Sequence, residues 1–401
     1  MDTWPGFAIP KGFRASGVAC GIKASGNKDV ALLVSDHLCT AAGTFTLNRV
    51  AAAPVQWDRA LVPGNGLRGV VINAGNANAA TGRQGLENAE KMAEMAAEKI
   101  GCRDRQVLVA STGVIGHQLP MDNLQSGINE AAACLSADVE AFQAASRAIM
   151  TTDTVPKVAG TTITSADGET VHILGICKGA AMIGPRMATM LAFILTDALV
   201  PEDLLQKFLS EAVDKSFNCI SVEGHASTND TVLVLANGQA NSAPLAGADL
   251  EIFRQALRDV CEELAKMIPG DGEGATHQIT IDVSGCTNRD EAMAIARSVA
   301  DSPLVKTAIH GADPNWGRIV SAAGYAGIDF DESEMCLKLN GFPLYHKGAP
   351  LIFDAAKVSA SIRDNRETHI ELIFSRGSSS IRFWTCDLTA EYIHLNADYT
   401  T

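Results

Sequence analysis

Polar residues stand where several apolar, strand-forming runs stop: Thr112 beside Gly113, Thr151 and Thr152, Lys178, Thr189, Asn229, Glu273, and Asn396 with Thr401. A threonine hydroxyl is a poor nucleophile until a base within hydrogen-bond reach removes its proton. One solution is a threonine whose own α-amine is free, which requires the preceding peptide bond to be cut. Thr189 separates the small-residue loop KGAAMIGPRMA (178–188) from the apolar run MLAFIL (190–195), where its hydroxyl is either core filler or the reason the segment exists. Taken singly, each residue favours a structural reading. A β-branched threonine suits a strand, Lys178 at a strand end reads as a solvated cation, Glu273 in a turn as surface charge, and the last six residues as a frayed end.

Other chemistries lack their residues. The nine histidines are scattered, there is no HExxH, and no acidic cluster has calcium-loop spacing, so no metal is expected. GDGEGAT and GNANAATG are glycine-rich, but neither is a GxGxxG opening a helix, and no GxxxxGK[ST] occurs; no nucleotide cofactor is expected. A formal charge of −14 argues against nucleic acid, which is bound by clustered lysine and arginine. There is no apolar window of about 18 residues and the start, MDTWPGFAIPKGF, is not a leader, so the expectation is a soluble cytoplasmic protein with no membrane partner. Ten cysteines spread singly, without a CxxC pair, read as reduced and buried.

The positioning elements follow from periodicity. VALLVSD (30–36), GTFTLNRV (43–50), GVVINAG (69–75), VLVAS (107–111), TNDTVLVLAN (228–237) and ITIDVSG (279–285) read as strands. LENAEKMAEMAAEKI (86–100), the alanine-rich 122–148, PEDLLQKFLSEAVDKSF (201–217) and 248–268, stopping at Pro269, read as helices, as do segments near 289–300 and 315–323. TTITSADGETVHILGICKG is a hairpin about Asp167-Gly168 that delivers Lys178 to a strand end. At 401 residues the chain is long enough for two or three packed domains, with a boundary near residue 280.

KGAAMIGPRMATMLAFILTDA (178–198), STGVIG (111–116), TTDT (151–154), DGEGAT (271–276), DPNWGRI (313–319) and NADYTT (396–401), in this order along the chain, resemble the ornithine acetyltransferase family of arginine biosynthesis, also called glutamate N-acetyltransferases. The likeness spans essentially the whole chain, including GFRASGVACGIK and NRVAAAPV.

The resemblance implies a layered α+β fold of the N-terminal-nucleophile type, αββα, with a smaller C-terminal α/β region. It implies a precursor that cuts itself between Ala188 and Thr189 into an α chain of residues 1–188 and a β chain of 189–401. Within the β chain, 189–280 would complete the core and 281–401 would return its terminus to the site. Thr189 would be the nucleophile, carrying acetyl from N-acetylornithine to glutamate, with Thr112 and Gly113 as oxyanion hole. Thr151, Thr152, Lys178, Thr189, Glu273, Asn396 and Thr401 would bind substrate. A variant of the reaction also takes acetyl-CoA as donor, and two α and two β chains would assemble as α2β2. The competing readings are a self-cleaving threonine amidohydrolase or aminopeptidase and an inactive amino-acid-binding paralogue. The family pattern leads one to expect asparagine where Arg186 stands, a GDTST-like run in place of EGHAST (223–228), and lysine at His277.

Overall fold

The computed structural model describes residues 4–184 and 190–398. Its first part contains, in chain order, β1 (Phe13–Val18), β2 (Val30–Phe45), α1 (Ala53–Arg59), β3 (Gly64–Asn76), α2 (Gly82–Ile100), β4 (Val107–Val114), α3 (Met121–Ala133) and α4 (Val139–Ala148). There follow β5 (Lys157–Thr164), β6 (Thr170–Lys178), β7 (Leu191–Thr196), α5 (Glu202–Lys215), β8 (Thr231–Ala236) and α6 (Gly247–Gly270). The eight strands form one sheet in the order β4-β3-β2-β8-β7-β6-β5, with β1 added onto β2.

The sheet becomes two layers because β2 is long and bent. Its first part pairs with β1 and β3, its last part with β8, and the pairing with β3 slips between Val34 and Thr40. Such an irregularity bends a strand and lets it pass from one layer to the next. The sequence suggests two strands, 30–36 and 43–50, whereas the chain stays extended from Val30 to Phe45 through the polar interlude.

Alternation along the strands then fixes four layers. Ile72 and Leu108 of one layer face Leu174, Phe193 and Leu233 of the other in a buried core. The opposite faces are covered by helices. Val30, Leu32, Val71 and Val109 meet Met92 and Ala96 of α2 and Leu124 and Ile128 of α3. Ala192, Ile194, Val232 and Val234 meet Leu205 and Leu209 of α5 and Leu257 and Leu264 of α6. The αββα layering expected from the resemblance is the architecture found. Small residues permit it: a Cβ on Gly17 of β1 would lie 2.2 Å from the carbonyl oxygen of Ala144 in α4.

The C-terminal part contains β9 (Gln278–Cys286), α7 (Arg289–Ala300), α8 (Pro303–His310), α9 (Trp316–Gly324), β10 (Met335–Leu339), β11 (Phe342–His346), β12 (Ala349–Pro350), α10 (Ala355–Arg363), β13 (Glu367–Phe374), β14 (Ser379–Cys386) and α11 (Ala390–Asp398). Its sheet runs β12-β11-β10-β13-β9-β14. Ile279, Ile281 and Phe383 belong to the same apolar core as α5 and α6, so this part packs onto the layers rather than hanging from a linker. α6 continues through Pro269 to Gly270 instead of stopping before it, since a proline in the last turn forfeits only one helical bond. All ten cysteines are free, but Cys134 is exposed and Cys20, Cys102 and Cys336 are half-buried, so only part of the set serves as core filling. Among the described residues, no helix is long and apolar enough to cross a membrane and no cluster of histidine, cysteine and acid fits a metal ion.

Candidate active site

Three neighbouring strands bring their ends to one place. β6 is antiparallel to β7, which is parallel to β8, so Lys178 at the end of β6 pairs with Leu191 at the start of β7, and Leu191 pairs with Thr231 at the start of β8. The end of β4 arrives from the other layer with Thr112 and Gly113, and Lys178 Nζ lies 3.4 Å from Thr112 Oγ1. Asn229 ties the layers together there, its amide donating to the carbonyls of Ala77 (2.6 Å) and Ser111 (2.8 Å).

Gly113 has φ +130°, and a Cβ there would sit 2.3 Å from the carbonyl carbon of Gly75, its partner in β3. Only glycine lets the two strand ends approach so closely.

A cavity of about 790 Å³ opens on these strand ends. It is lined by Thr112, Gly113, Thr151, Thr152, Lys178, Asn229, Glu273 and Asn396, which lie up to 284 residues apart in the chain. Thr189, Ala188, Arg186 and Thr401 lie outside the described residues. Met190, immediately after Thr189, is buried, and its N–H donates to Asp230 Oδ1 at 3.1 Å.

Lys178 is 1% exposed and so is not the solvated cation that a strand-end lysine suggests. Burial lowers its pKa, against the opposing pull of Asp153, Asp230 and Glu273. Asp153 is what keeps this wall together. Its carboxylate accepts from Lys157 Nζ (2.7 Å), from the Gly179 N–H (2.6 Å) and from the Thr151 N–H (3.1 Å), with Lys178 Nζ at 4.0 Å. Burial works against the charge of Asp153, but Lys178, Lys157 and these hydrogen bonds outweigh it and hold the carboxyl down at about 2. Lys157 also donates to Asp271 (2.6 Å), which accepts from the N–H and hydroxyl of Thr154. One buried ionic network therefore seats the Thr151–Thr154 turn, the end of β6 and the loop that carries Glu273.

Glu273 accepts from the Asn396 amide at 2.8 Å. α11, which bears Asn396, is pinned to the Glu273 loop: Thr389 Oγ1 donates to the Gly274 carbonyl (2.8 Å), and Asp387 accepts from the N–H groups of Thr276 and His277 (2.8 Å each). His277 and His310 both direct Nδ1 at Asp387, at 3.3 and 3.1 Å.

Sequence reasoning missed four ionisable groups here. Asp153 and Asp271 lie inside the quoted TTDT and DGEGAT, so the signal was an acid within a motif already singled out. Lys157 offers none, being a charge at the start of a strand. Asp230 follows Asn229 and is fully buried, with one oxygen unpartnered and its pKa pushed well up by burial. Nearby Glu223 has both carboxylate oxygens buried without a partner, and burial pushes it up to about 8.

The arrangement places a glycine N–H and a threonine hydroxyl at a strand end, a buried cation beside them, and a carboxylate in the same cavity wall. That suits an acyl group whose oxygen gains charge, on a substrate bearing a carboxylate and a cationic tail.

Comparison with known proteins agrees with this geometry. A bifunctional arginine-biosynthesis protein ArgJ from Rhodopirellula baltica is 44% identical over 403 residues, covering 100% of this chain and 98% of its own. One from Dehalococcoides mccartyi is 46% identical over 407 residues, covering 100% and 99%. The crystal structure of an arginine-biosynthesis bifunctional protein ArgJ from Bacillus halodurans matches with 38% identity and a TM-score of 0.50, over 52% of this chain and 98% of that one. The ArgJ family model matches residues 14–401, and the chain belongs to the ArgJ family.

Proposed function

We propose that this protein is an acetyltransferase of arginine biosynthesis that moves an acetyl group from N-acetylornithine to glutamate, and that it also accepts acetyl from acetyl-CoA, as the relatives' designation as bifunctional suggests. The observation that carries the reading is the single cavity in which Thr112, Gly113, Lys178, Thr151, Thr152, Glu273 and Asn396 meet, beside the start of β7.

In this reading the Ala188–Thr189 peptide is hydrolysed, leaving chains 1–188 and 189–401. The freed α-amine of Thr189, with an ordinary pKa near ~8, takes the proton of its own hydroxyl. Oγ then bonds to the acetyl carbon of N-acetylornithine, the carbonyl oxygen becomes an oxyanion against Thr112 and Gly113, and the C–N bond breaks as the amine returns the proton to departing ornithine. Glutamate reverses these steps, its neutral amine attacking the ester and Thr189 leaving with a proton. Lys178 and the threonines of the 151–154 turn hold the α-carboxylate, Glu273 with Asn396 the ornithine ammonium, and Thr401 is a further substrate-binding residue. Residues 189–280 complete the catalytic core and 281–401 form the C-terminal region. The assembly in this reading is α2β2 in the cytoplasm. The Bacillus halodurans chain supports the cut, since it is matched over nearly all its own length yet spans about the share of this one that a piece bounded at 188/189 would have.

A denaturing gel with N-terminal sequencing tests the reading: two bands are expected, one beginning TMLAFIL. A persistent single chain would sink it. Thr189→Ala should abolish cleavage and transfer, and Thr189→Ser should retain part of each. Release of acetate in place of acetylglutamate would instead mark a hydrolase.

A further inference from the structure

One cavity must serve two amino acids with opposite tails, if the proposed transfer is right. Ornithine ends in an ammonium, glutamate in a carboxylate. The flank made by Glu273 and Asn396 suits the first and repels the second, because juxtaposed like charges disfavour a ligand. The cavity is also larger than one small amino acid requires, since a volume of about 790 Å³ lies in the range that encloses drug-sized ligands.

A second part of the lining, built by other elements, has the complementary charge. The loop of residues 20–28 and the end of α4 contribute Lys23, Lys28 and Arg147 to the lining. This is a local concentration of cations in a chain whose net charge is −14. Lys23 is the key member. Its Nζ donates to the carbonyls of Lys28 (2.5 Å) and Ala148 (3.2 Å), which uses two of the three N–H bonds of an ammonium. Among the described residues no carboxylate bonds to it. Asp29 is close in sequence, but its oxygens are taken by the N–H groups of Cys20, Ile22 and Lys23.

We infer that Lys23 forms an anion subsite on this flank, which takes the side-chain carboxylate of the acceptor amino acid and so determines acceptor specificity.

The electrostatics agree with that geometry. Burial, with Lys178 beside it, brings Lys23 down to about 8, while Asp29 and Asp153 act in the opposite sense. Lys28, Arg147 and Glu273 line the same cavity. A carboxylate arriving there favours the ammonium form. Glutamate binding near pH 8 should therefore take up a proton, and binding should weaken above that pH as the lysine loses its charge.

The test compares the wild type with Lys23→Met and Lys23→Arg, using glutamate and glutamine as acceptors and N-acetylornithine or acetyl-CoA as donor. Lys23→Met should raise the glutamate KM about ten-fold or more, leave KM for both donors within two-fold, and leave KM for glutamine unchanged. Lys23→Arg, which stays charged, should restore glutamate binding and remove the rise in glutamate KM that the wild type shows above about pH 8. Calorimetric titration with glutamate at pH 8, in two buffers of different ionisation heat, should show more proton uptake in the wild type than in Lys23→Arg. This titration needs no turnover, so it distinguishes failure of the subsite from failure of the transferase reading. An unchanged glutamate KM in Lys23→Met, an equal loss for glutamine, or a loss confined to acetyl-CoA would each overturn the inference, the last by assigning the flank to the phosphates of the thioester donor.

Discussion

Lys178 Nζ lies 3.4 Å from Thr112 Oγ1, joining the end of β6 in one sheet layer to the end of β4 in the other. In the proposed reaction the contact would orient the threonine hydroxyl toward the acyl oxygen. It also places a buried positive charge where an oxyanion would form.

Thr112→Ala should therefore act on the chemical step. Removing one such donor typically lowers kcat by ~10²–10³-fold, or about 2.7–4 kcal/mol. KM for N-acetylornithine should change little, and steady-state kinetics on processed protein would show the split.

Asp153→Asn should cost stability rather than one contact. It leaves Lys157 and Lys178 buried with weakened compensation, and breaking a buried ion pair typically costs about 3–5 kcal/mol. The acid branch of the stability profile gives a second check. Because Asp153 is depressed from its ordinary 3.8 to about 2, its contribution is fully present above about pH 4 and is lost as the pH falls toward 2. Chemical denaturation across that range should show the loss in the wild type and a flatter curve in the variant.

Glu223 works in the opposite sense. Its folded-state pKa is raised from 4.5 to about 8, so the unfolded chain ionises first and the wild type loses stability as pH rises between those values. The melting temperature of Glu223→Gln relative to wild type should increase through that window and level off above pH 8. A constant difference from pH 5 to 8 would contradict the buried, unpartnered carboxyl.

Glu273→Gln should separate the two amino acids. Loss of a charged hydrogen bond, worth about 1.5–3 kcal/mol, corresponds to a ~10–100-fold higher KM for N-acetylornithine. Glutamate, having no cationic tail, should bind as before or better, and initial-rate measurements varying each substrate would tell.

How far the sequence reaches can be seen at particular residues. Thr112 and Gly113 were legible because VLVAS runs directly into them, and Lys178 because the Asp167-Gly168 turn fixes where its strand ends. That Lys178 is buried was not legible, since the acid that shelters its charge is 25 residues away in a turn. Lys157 and Asp271 are 114 residues apart and share no local pattern. The bend in β2 was hidden for a different reason: SDHLCT looks like a connection between strands, yet it is the point where one strand changes layer. Local periodicity records which face of an element is apolar, whereas ion networks and layer crossings depend on partners distant along the chain.

The strand order β4-β3-β2-β8-β7-β6-β5 sets what a cut at 188/189 would produce. β7 and β8 lie after that point, and every other strand of the sheet before it. The later piece would supply the middle of a ladder whose two sides belong to the earlier one, bonded to β2 on one side and β6 on the other. Neither fragment could leave without baring two raw edges each, so the severed polypeptide would behave as a single interleaved body and not as two subunits in exchange.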